Sequence, residues 1–146
     1  MRFKLISAVH LFLLRDDQIL LLRRFNTGYE DGNYSVVAGH LDGGEPVKIA
    51  MIREAREEVG IELSEEILEV VQVMHRLADH ERIDFFLQTT QWRGDIQNLE
   101  PHKCDDLAWY PLNHLPLNTI PYIRRAINNY QQKRWFDTYG WKPGEL

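Results

Sequence analysis

Apolar residues at the start of the chain form two dense runs separated by a short polar turn. The runs cover residues 4–14 and 18–24, and Arg15, Asp16 and Asp17 lie between them. Two β-rich runs around such a turn are typical of an antiparallel hairpin. The first run also follows basic residues, as in a signal peptide, but it contains His10 and has no convincing cleavage site. We therefore favour a buried first strand.

The remaining pattern predicts further strands and two helices. Pro46 suits a helix start and Gly60 a helix stop, so we expect a helix from about 46 to 59. Further strands are predicted at 34–38, 67–77, 82–92 and 107–112, polar loops at 25–34 and 93–106, and a last helix at about 119–132, opened by Pro121. The aromatic tail from Trp135 to Trp141 is expected to pack on the domain. Together these elements predict a single α/β domain over residues 1–146, with a mixed sheet and helices packed against it.

Composition excludes several classes of protein. The 146 residues are 44% hydrophobic and 27% charged, an ordinary globular mixture. A formal net charge of −5, without a long basic block, argues against binding to nucleic-acid polymers or acidic membranes. Cys104 is the only cysteine, which excludes an internal disulfide and a Cys-rich metal site. A reducing, cytoplasmic location is expected, and no stretch is long enough to span a membrane.

The predicted helix at 46–59 carries an unusual concentration of negative charge near its C-terminal end. On a helical wheel Glu54, Glu57 and Glu58 share one arc, opposite an apolar stripe that includes Ala55 and Val59. Carboxylates four residues apart repel each other, and acids in a last turn oppose the helix dipole. A solvated acidic face is the ordinary interpretation of a Glu-rich helix. Here a bound hard cation such as Mg²⁺ would relieve the repulsion, because such ions select clustered carboxylates and carbonyls.

The spacing around these acids follows a fixed pattern. From Gly39, five residues precede Glu45, seven more precede Arg53-Glu54, and the run ends at Gly60-Ile61. The stretch Gly39–Ile61 resembles the complete Nudix box, G-x5-E-x7-R-E-U-x-E-E-x-G-U, where U is aliphatic or similar. The resemblance extends plausibly over residues 3–132 and is of the MutT-like type.

The resemblance implies a Nudix-type α/β/α sandwich and a hydrolase that uses Mg²⁺ or Mn²⁺. It implies that Glu57 and Glu58 hold metal, with Glu54 as a further ligand or as the base that activates water. It also implies that Glu45 and Arg53 interact and fix the loop and helix, and that the Ala38 carbonyl is an additional ligand. Many relatives carry Pro-Gly-Gly where this chain has Val37-Ala38-Gly39; a backbone carbonyl survives that difference.

Candidates outside the box concern the substrate. The resemblance implies that Arg24 contacts phosphates, while alternation along the strand sends Arg23 to the other face. Glu100 is a candidate loop carboxylate for metal or base, and His40 a candidate phosphate contact. The alternatives to Glu100 are Asp105 and Asp106, and the candidates for stacking on a base are Phe25, Tyr29, Tyr34 and Trp109. We interpret His10, His75 and Cys104 as structural.

The activity that the resemblance implies is cleavage of nucleoside diphosphate-X compounds. We expect a nucleoside triphosphate to be cleaved to the monophosphate and pyrophosphate. The alternatives are ADP-ribose or a nucleotide sugar, and a non-catalytic nucleotide-binding regulator, although such a regulator would be expected to lose box carboxylates. Expected partners are a small-molecule nucleotide and no nucleic-acid polymer or membrane, for a monomer or homodimer.

Overall fold

The computed structural model describes residues 1–143, in which eight strands and two α-helices are found. The strands are β1 (Ile6–Arg15), β2 (Gln18–Arg24), β3 (Tyr34–Ser35), β4 (Val37–His40), β5 (Glu69–Leu77), β6 (Glu81–Thr89), β7 (Cys104–Pro111) and β8 (Phe136–Tyr139). The helices are α1 (Val47–Val59) and α2 (Pro121–Gln131), and a 3₁₀ turn covers Glu65–Ile67.

The predicted hairpin forms through a two-residue turn. Asp16 and Asp17 have φ angles of 50° and 64°, so both lie in the left-handed region. Two such residues match the twist of an antiparallel pair, and Asp tolerates this conformation better than most side chains. Beyond Leu14–Ile19 the strands diverge, so that β2 pairs with β3 and β7 instead of following β1.

The long strand β1 organises the rest of the sheet. It pairs with β4 in antiparallel fashion on one side and with β6 in parallel on the other. Strand β5 is antiparallel to β6, and β8 adds to β5 in parallel. The sheet is therefore mixed, as the sequence predicts.

Alternation along β1 divides the core into two layers. Val9, Leu11 and Leu13 pack with residues of α1, whereas Phe12 and Leu14 pack with residues of α2. Because successive side chains of a strand point to opposite faces, one apolar strand serves both layers. The helices thus lie on opposite faces of the sheet.

Helix α1 begins after Pro46 and ends at Gly60, whose φ of 72° is the left-handed cap that glycine adopts most easily. Its buried side chains are Ala50, Met51, Ala55 and Val59. The predicted apolar stripe is confirmed at Ala55 and Val59. Burial of Ala50 shows that the core-facing surface is wider than the stripe, as expected for a helix packed on a sheet.

The structure corrects one local prediction and refines another. The strand expected at 34–38 is interrupted at Val36 and forms β3 and β4, which pair with β2 and β1 respectively. The aromatic tail packs on the domain as expected, but as strand β8 beside β5. No helix within residues 1–143 combines the length and the apolar composition needed to cross a lipid bilayer.

Candidate active site

A cleft of about 660 Å³ lies where β4, the end of β2 and helix α1 meet. The candidate site residues that line it are Arg24, Ala38, His40, Glu54, Glu57, Glu58 and Glu100. The sequence therefore predicts most of one wall of this cleft. Glu45 and Arg53 are not among its lining residues.

Gly39 determines how closely strand β4 and helix α1 approach each other. A Cβ atom at this position would overlap the carboxyl group of Glu54. The Glu54 side chain is only 13% exposed, so it fills the space that glycine leaves open. The first glycine of the box is thus required by a close contact and not by a left-handed backbone, because its φ is not positive.

Arg53 connects the loop before α1 to the acidic residues on it. Its Nη2 atom lies 2.6 Å from Glu45 Oε1, and its Nη1 atom lies 2.8 Å from Glu54 Oε1. Nη1 also lies 3.5 Å from Glu57 Oε2. Charge-assisted hydrogen bonds of this kind fix geometry as well as adding stability. Arg53 supports the acidic residues from behind the cleft wall.

The carboxylates on the cleft wall lie in an unfavourable electrostatic environment. Burial raises the pKa of Glu58 well above its usual range, and the nearby charges of Glu54 and Glu100 raise it further. Burial also raises the pKa of Glu54, although hydrogen bonding to Arg53 opposes the shift. These acids therefore resist ionising together, and a positive ligand at this wall would stabilise their charged forms.

The chemistry of these donors fits a divalent cation. Within the described residues, no three acidic, histidine or cysteine side chains are already gathered at metal-binding spacing. The donor set nevertheless consists of carboxylates with mutual repulsion beside the Ala38 backbone, which is the oxygen-rich environment that Mg²⁺ or Mn²⁺ selects. The residues present thus fit the metal that the box implies.

The two arginines at the end of β2 have different surroundings. Arg24 lines the cleft, and a register shift in the pairing of β2 with β7 occurs between Arg23 and Arg24. Arg24 Nε donates to the carbonyl oxygen of Tyr29 at 2.7 Å, and Nη2 donates to Thr27 Oγ1 at 3.1 Å. Arg23 is not a lining residue, and its Nε donates to Asp105 Oδ1 at 2.7 Å. Arg24 therefore holds the 25–33 loop as well as facing the cleft.

The structure places some of the remaining candidates at the cleft and others away from it. Glu100 faces the cleft, whereas Asp105 pairs with Arg23 and Asp106 accepts hydrogen bonds from Tyr34 and Tyr110. Among the aromatic candidates, Tyr29 lines the cleft, and Phe25, Tyr34 and Trp109 do not.

Sequence reasoning missed a second wall of the cleft. His10, Arg76 and Tyr122 line it, and Asp84 lies directly behind them. The sequence predicts a packed side chain at His10, which is buried as expected and also belongs to this wall. A signal was present in the alternation, because Asp84 shares a strand face with the buried Phe86. A charged residue at such a position needs partners.

Comparison with known proteins decides the family. The sequence model of the NUDIX domain matches residues 4–135, which is most of the chain. The chain belongs to the Nudix family. The predicted Nudix-type sandwich with a mixed sheet is confirmed by a MutT NUDIX hydrolase from Burkholderia pseudomallei, which is 25% identical with a TM-score of 0.78 and covers 86% of this chain and 98% of that one.

Other Nudix relatives place limits on the comparison. The NAD-capped RNA hydrolase NudC of Pseudomonas aeruginosa (strain LESB58) is 30% identical over 113 residues, 77% of this chain but only 38% of that protein. The chain thus spans well under half the length of the curated relatives it matches. A MutT protein from Methanosarcina mazei Go1 has a TM-score of 0.76 at 17% identity, covering 91% of this chain and 97% of that one, and supports the fold alone.

Proposed function

We propose that this Nudix protein is a divalent-metal-dependent pyrophosphohydrolase of nucleoside diphosphate-X compounds, with a nucleoside triphosphate as its substrate. The products would be the monophosphate and pyrophosphate. The observation that carries the proposal is the shared cleft: Glu54, Glu57 and Glu58 face the same space as Arg24. Acidic residues that fit a cation, next to an arginine that fits phosphate, suit a diphosphate linkage.

The chain's own residues divide the chemistry between them. Glu54, Glu57, Glu58 and the Ala38 carbonyl would hold the cation. A bound Mg²⁺ would neutralise phosphate charge and lower the pKa of a coordinated water. Arg24 would orient a phosphate, and Arg53 would keep Glu54 in place.

Glu54 has a second possible role, in which it does not ligate the cation but is the base that accepts the proton of the attacking water. Burial raises its pKa, and its hydrogen bond to Arg53 opposes that shift. As the water oxygen bonds to phosphorus, the bond from phosphorus to the bridging oxygen breaks and the water proton passes to the carboxylate. The reaction needs no serine or cysteine nucleophile.

The experiment is a substrate panel of nucleoside triphosphates, ADP-ribose, NAD and nucleotide sugars, with Mg²⁺, Mn²⁺ or chelator. We expect one class to be cleaved only with metal, and products separated by chromatography identify the bond that breaks. Glu57→Gln serves as the matched inactive control. If no member of the panel is cleaved, or cleavage persists unchanged in chelator, the proposal is wrong and a nucleotide-binding regulator becomes the better interpretation.

One observation favours the second candidate, a dinucleotide or nucleotide sugar. A further cavity of about 310 Å³ shares Tyr29, Arg76 and Tyr122 with the main cleft. This space is available to a second group attached to the diphosphate. The relative named NAD-capped RNA hydrolase acts, by that name, on RNA that carries an NAD cap.

A further inference from the structure

The second wall of the cleft is built from a buried ionic network. Asp84 is inaccessible to solvent, and His10 and Arg76 are 2% and 6% exposed. His10 Nε2 lies 3.0 Å from Asp84 Oδ1, and Arg76 Nε donates to Asp84 Oδ2 at 2.7 Å. Both carboxylate oxygens of Asp84 are therefore engaged inside the protein.

Asp84 carries its charge in this network and cancels the charge of Arg76. Burial raises the pKa of Asp84, but hydrogen bonds from His10 and Arg76 outweigh that effect and hold the pKa at about 2. The Arg76–Asp84 pair is thus neutral as a unit. An apolar pair of similar volume would often be at least as stable, so stability alone does not explain an ion pair at this position.

Arg76 has hydrogen-bond donors left over, and they face the cleft. Nε and Nη2 serve Asp84, while Nη1 has no hydrogen-bond partner within residues 1–143. Nη1 is not among the buried polar atoms that lack partners, so it stays accessible, and Arg76 lines both cavities. The guanidinium lies 3.6 Å from the ring centroid of Tyr122, which fixes its plane. The result is a rigid donor group on a partly aromatic wall.

We propose that Arg76 is a specificity-determining residue that donates to a carbonyl oxygen of the substrate's nucleobase. This assignment rests on the proposed function. A guanidinium has only N–H donors, so it favours a ring oxygen and disfavours an amino group at the same place. Because Asp84 already neutralises Arg76, a neutral carbonyl suits this site better than a phosphate. Arg24 suits a phosphate better, because it pairs with no carboxylate among residues 1–143.

The hydrogen-bond acceptors near this wall do not favour a nucleobase that carries an amino group. Both oxygens of Asp84 are occupied, and Asp79, at the rim, is 70% exposed and paired with Arg82 at 3.0 Å. Tyr29 and Tyr122 supply flat apolar surface for a ring. The protein should therefore select bases with an oxo group, such as hypoxanthine or guanine, over adenine.

Inosine triphosphate and adenosine triphosphate provide the direct test, because hypoxanthine has an oxo group where adenine has an amino group. We expect wild-type kcat/KM to favour inosine triphosphate by about 10- to 100-fold, the range expected when a desolvated donor loses its acceptor. Arg76→Lys keeps the charge opposite Asp84, but its single nitrogen is engaged by Asp84 and no second nitrogen remains to reach the base, as Nη1 does in the planar fork. Arg76→Gln combined with Asp84→Asn removes both charges together. In each variant the ratio of kcat/KM for inosine triphosphate over adenosine triphosphate should fall to within about threefold of unity. In the double variant this is expected because a glutamine amide can also pair with adenine.

The ratio of kcat/KM values for the two substrates distinguishes recognition of the base from a folding defect, because a folding defect lowers both values together. Arg125→Lys is the matched control: Arg125 also pairs with an aspartate, Asp137 at 2.8 Å, and lies 5.5 Å from the ring centroid of Tyr139, but it does not line the cleft. Its ratio should equal that of the wild type. Equal use of both substrates by the wild type, or an unchanged ratio in Arg76→Lys, overturns the assignment.

Binding measurements keep this inference distinct from the proposed function. Calorimetric affinities for the two triphosphates are measured with wild type and Arg76→Lys in the presence of Ca²⁺. If nothing in the panel is hydrolysed, the proposed function fails, while a binding preference for inosine triphosphate that depends on Arg76 still supports reading of the base. Equal affinities would overturn it whatever the turnover.

Discussion

Replacement of Gly39 by alanine tests the arrangement of the acidic wall with a single methyl group. The three nearest atoms to the added Cβ would all belong to the Glu54 carboxyl group. Since the φ of Gly39 is not positive, alanine fits the backbone, and the nearest group that must move is the end of a flexible side chain. Glu54 would therefore swing away, and its 2.8 Å hydrogen bond to Arg53 would be lost.

The expected effects on stability and on activity are of different size. Loss of a charge-assisted hydrogen bond lowers the free energy of unfolding by about 1.5–3 kcal/mol, and replacing a glycine in a strand raises it by about 0.5–1 kcal/mol. We expect a net loss of about 1–2 kcal/mol, or about 2–8 °C in Tm for a chain of this size. Activity should fall much further, by about 100-fold, because a catalytic group displaced by an ångström loses its alignment.

The assay combines steady-state kinetics on the best panel substrate with thermal unfolding of the same preparations. In a Glu54→Gln background, adding Gly39→Ala should cause little further loss of activity, because both changes act through the side chain at position 54. Turnover by Gly39→Ala within about twofold of wild type would refute the reasoning. Unfolding of the variant would refute it differently, by showing that more than one side chain has to move.

Three further predictions concern charged residues. Glu57→Gln and Glu58→Gln should each remove most activity. Each should also leave the metal-free Tm equal to that of the wild type or higher, because one of several mutually repelling charges is removed. Near-normal turnover in both variants would exclude the acidic helix as the site. Arg24→Ala should lower kcat/KM by about 10- to 1,000-fold. Arg23→Ala loses only the exposed ion pair with Asp105, so its kcat/KM should stay within about threefold of the wild-type value. An equal loss in both variants would contradict the assignment of Arg24, and not Arg23, to the cleft. The folded-state pKa of Asp84, about 2, lies below the unfolded value of about 3.9. Its stabilising contribution, on the order of 2–3 kcal/mol, should therefore be complete above the unfolded value and be lost as the pH falls through the folded value. Asp84→Asn should flatten that part of the urea-unfolding profile, and an unchanged acid limb would show that Asp84 does not cause it.

The sequence alone identifies the elements whose chemistry is local. Asp16 and Asp17 predict the hairpin turn, Pro46 and Gly60 bound α1, and the spacing from Gly39 onward predicts the box. These features depend on a residue's own backbone preference or on fixed helical spacing, so they can be predicted without knowledge of the rest of the chain. The acidic face of α1 is of this kind.

Tertiary structure alone decides which side chains complete the cleft. Glu100 and Asp105 are equivalent in a polar loop sequence, and only the path of that loop places Glu100 in the cleft and Asp105 against Arg23. The network of Arg76 and Asp84 joins two strands, and its donors reach the cleft because Tyr122, from another element, fixes the guanidinium plane. Such contacts depend on pairing register and strand order, which residues far apart in the chain determine jointly. The acidic wall, proposed to bind metal, could therefore be predicted from the sequence, while the wall proposed to contact the base emerged only when the sheet was assembled.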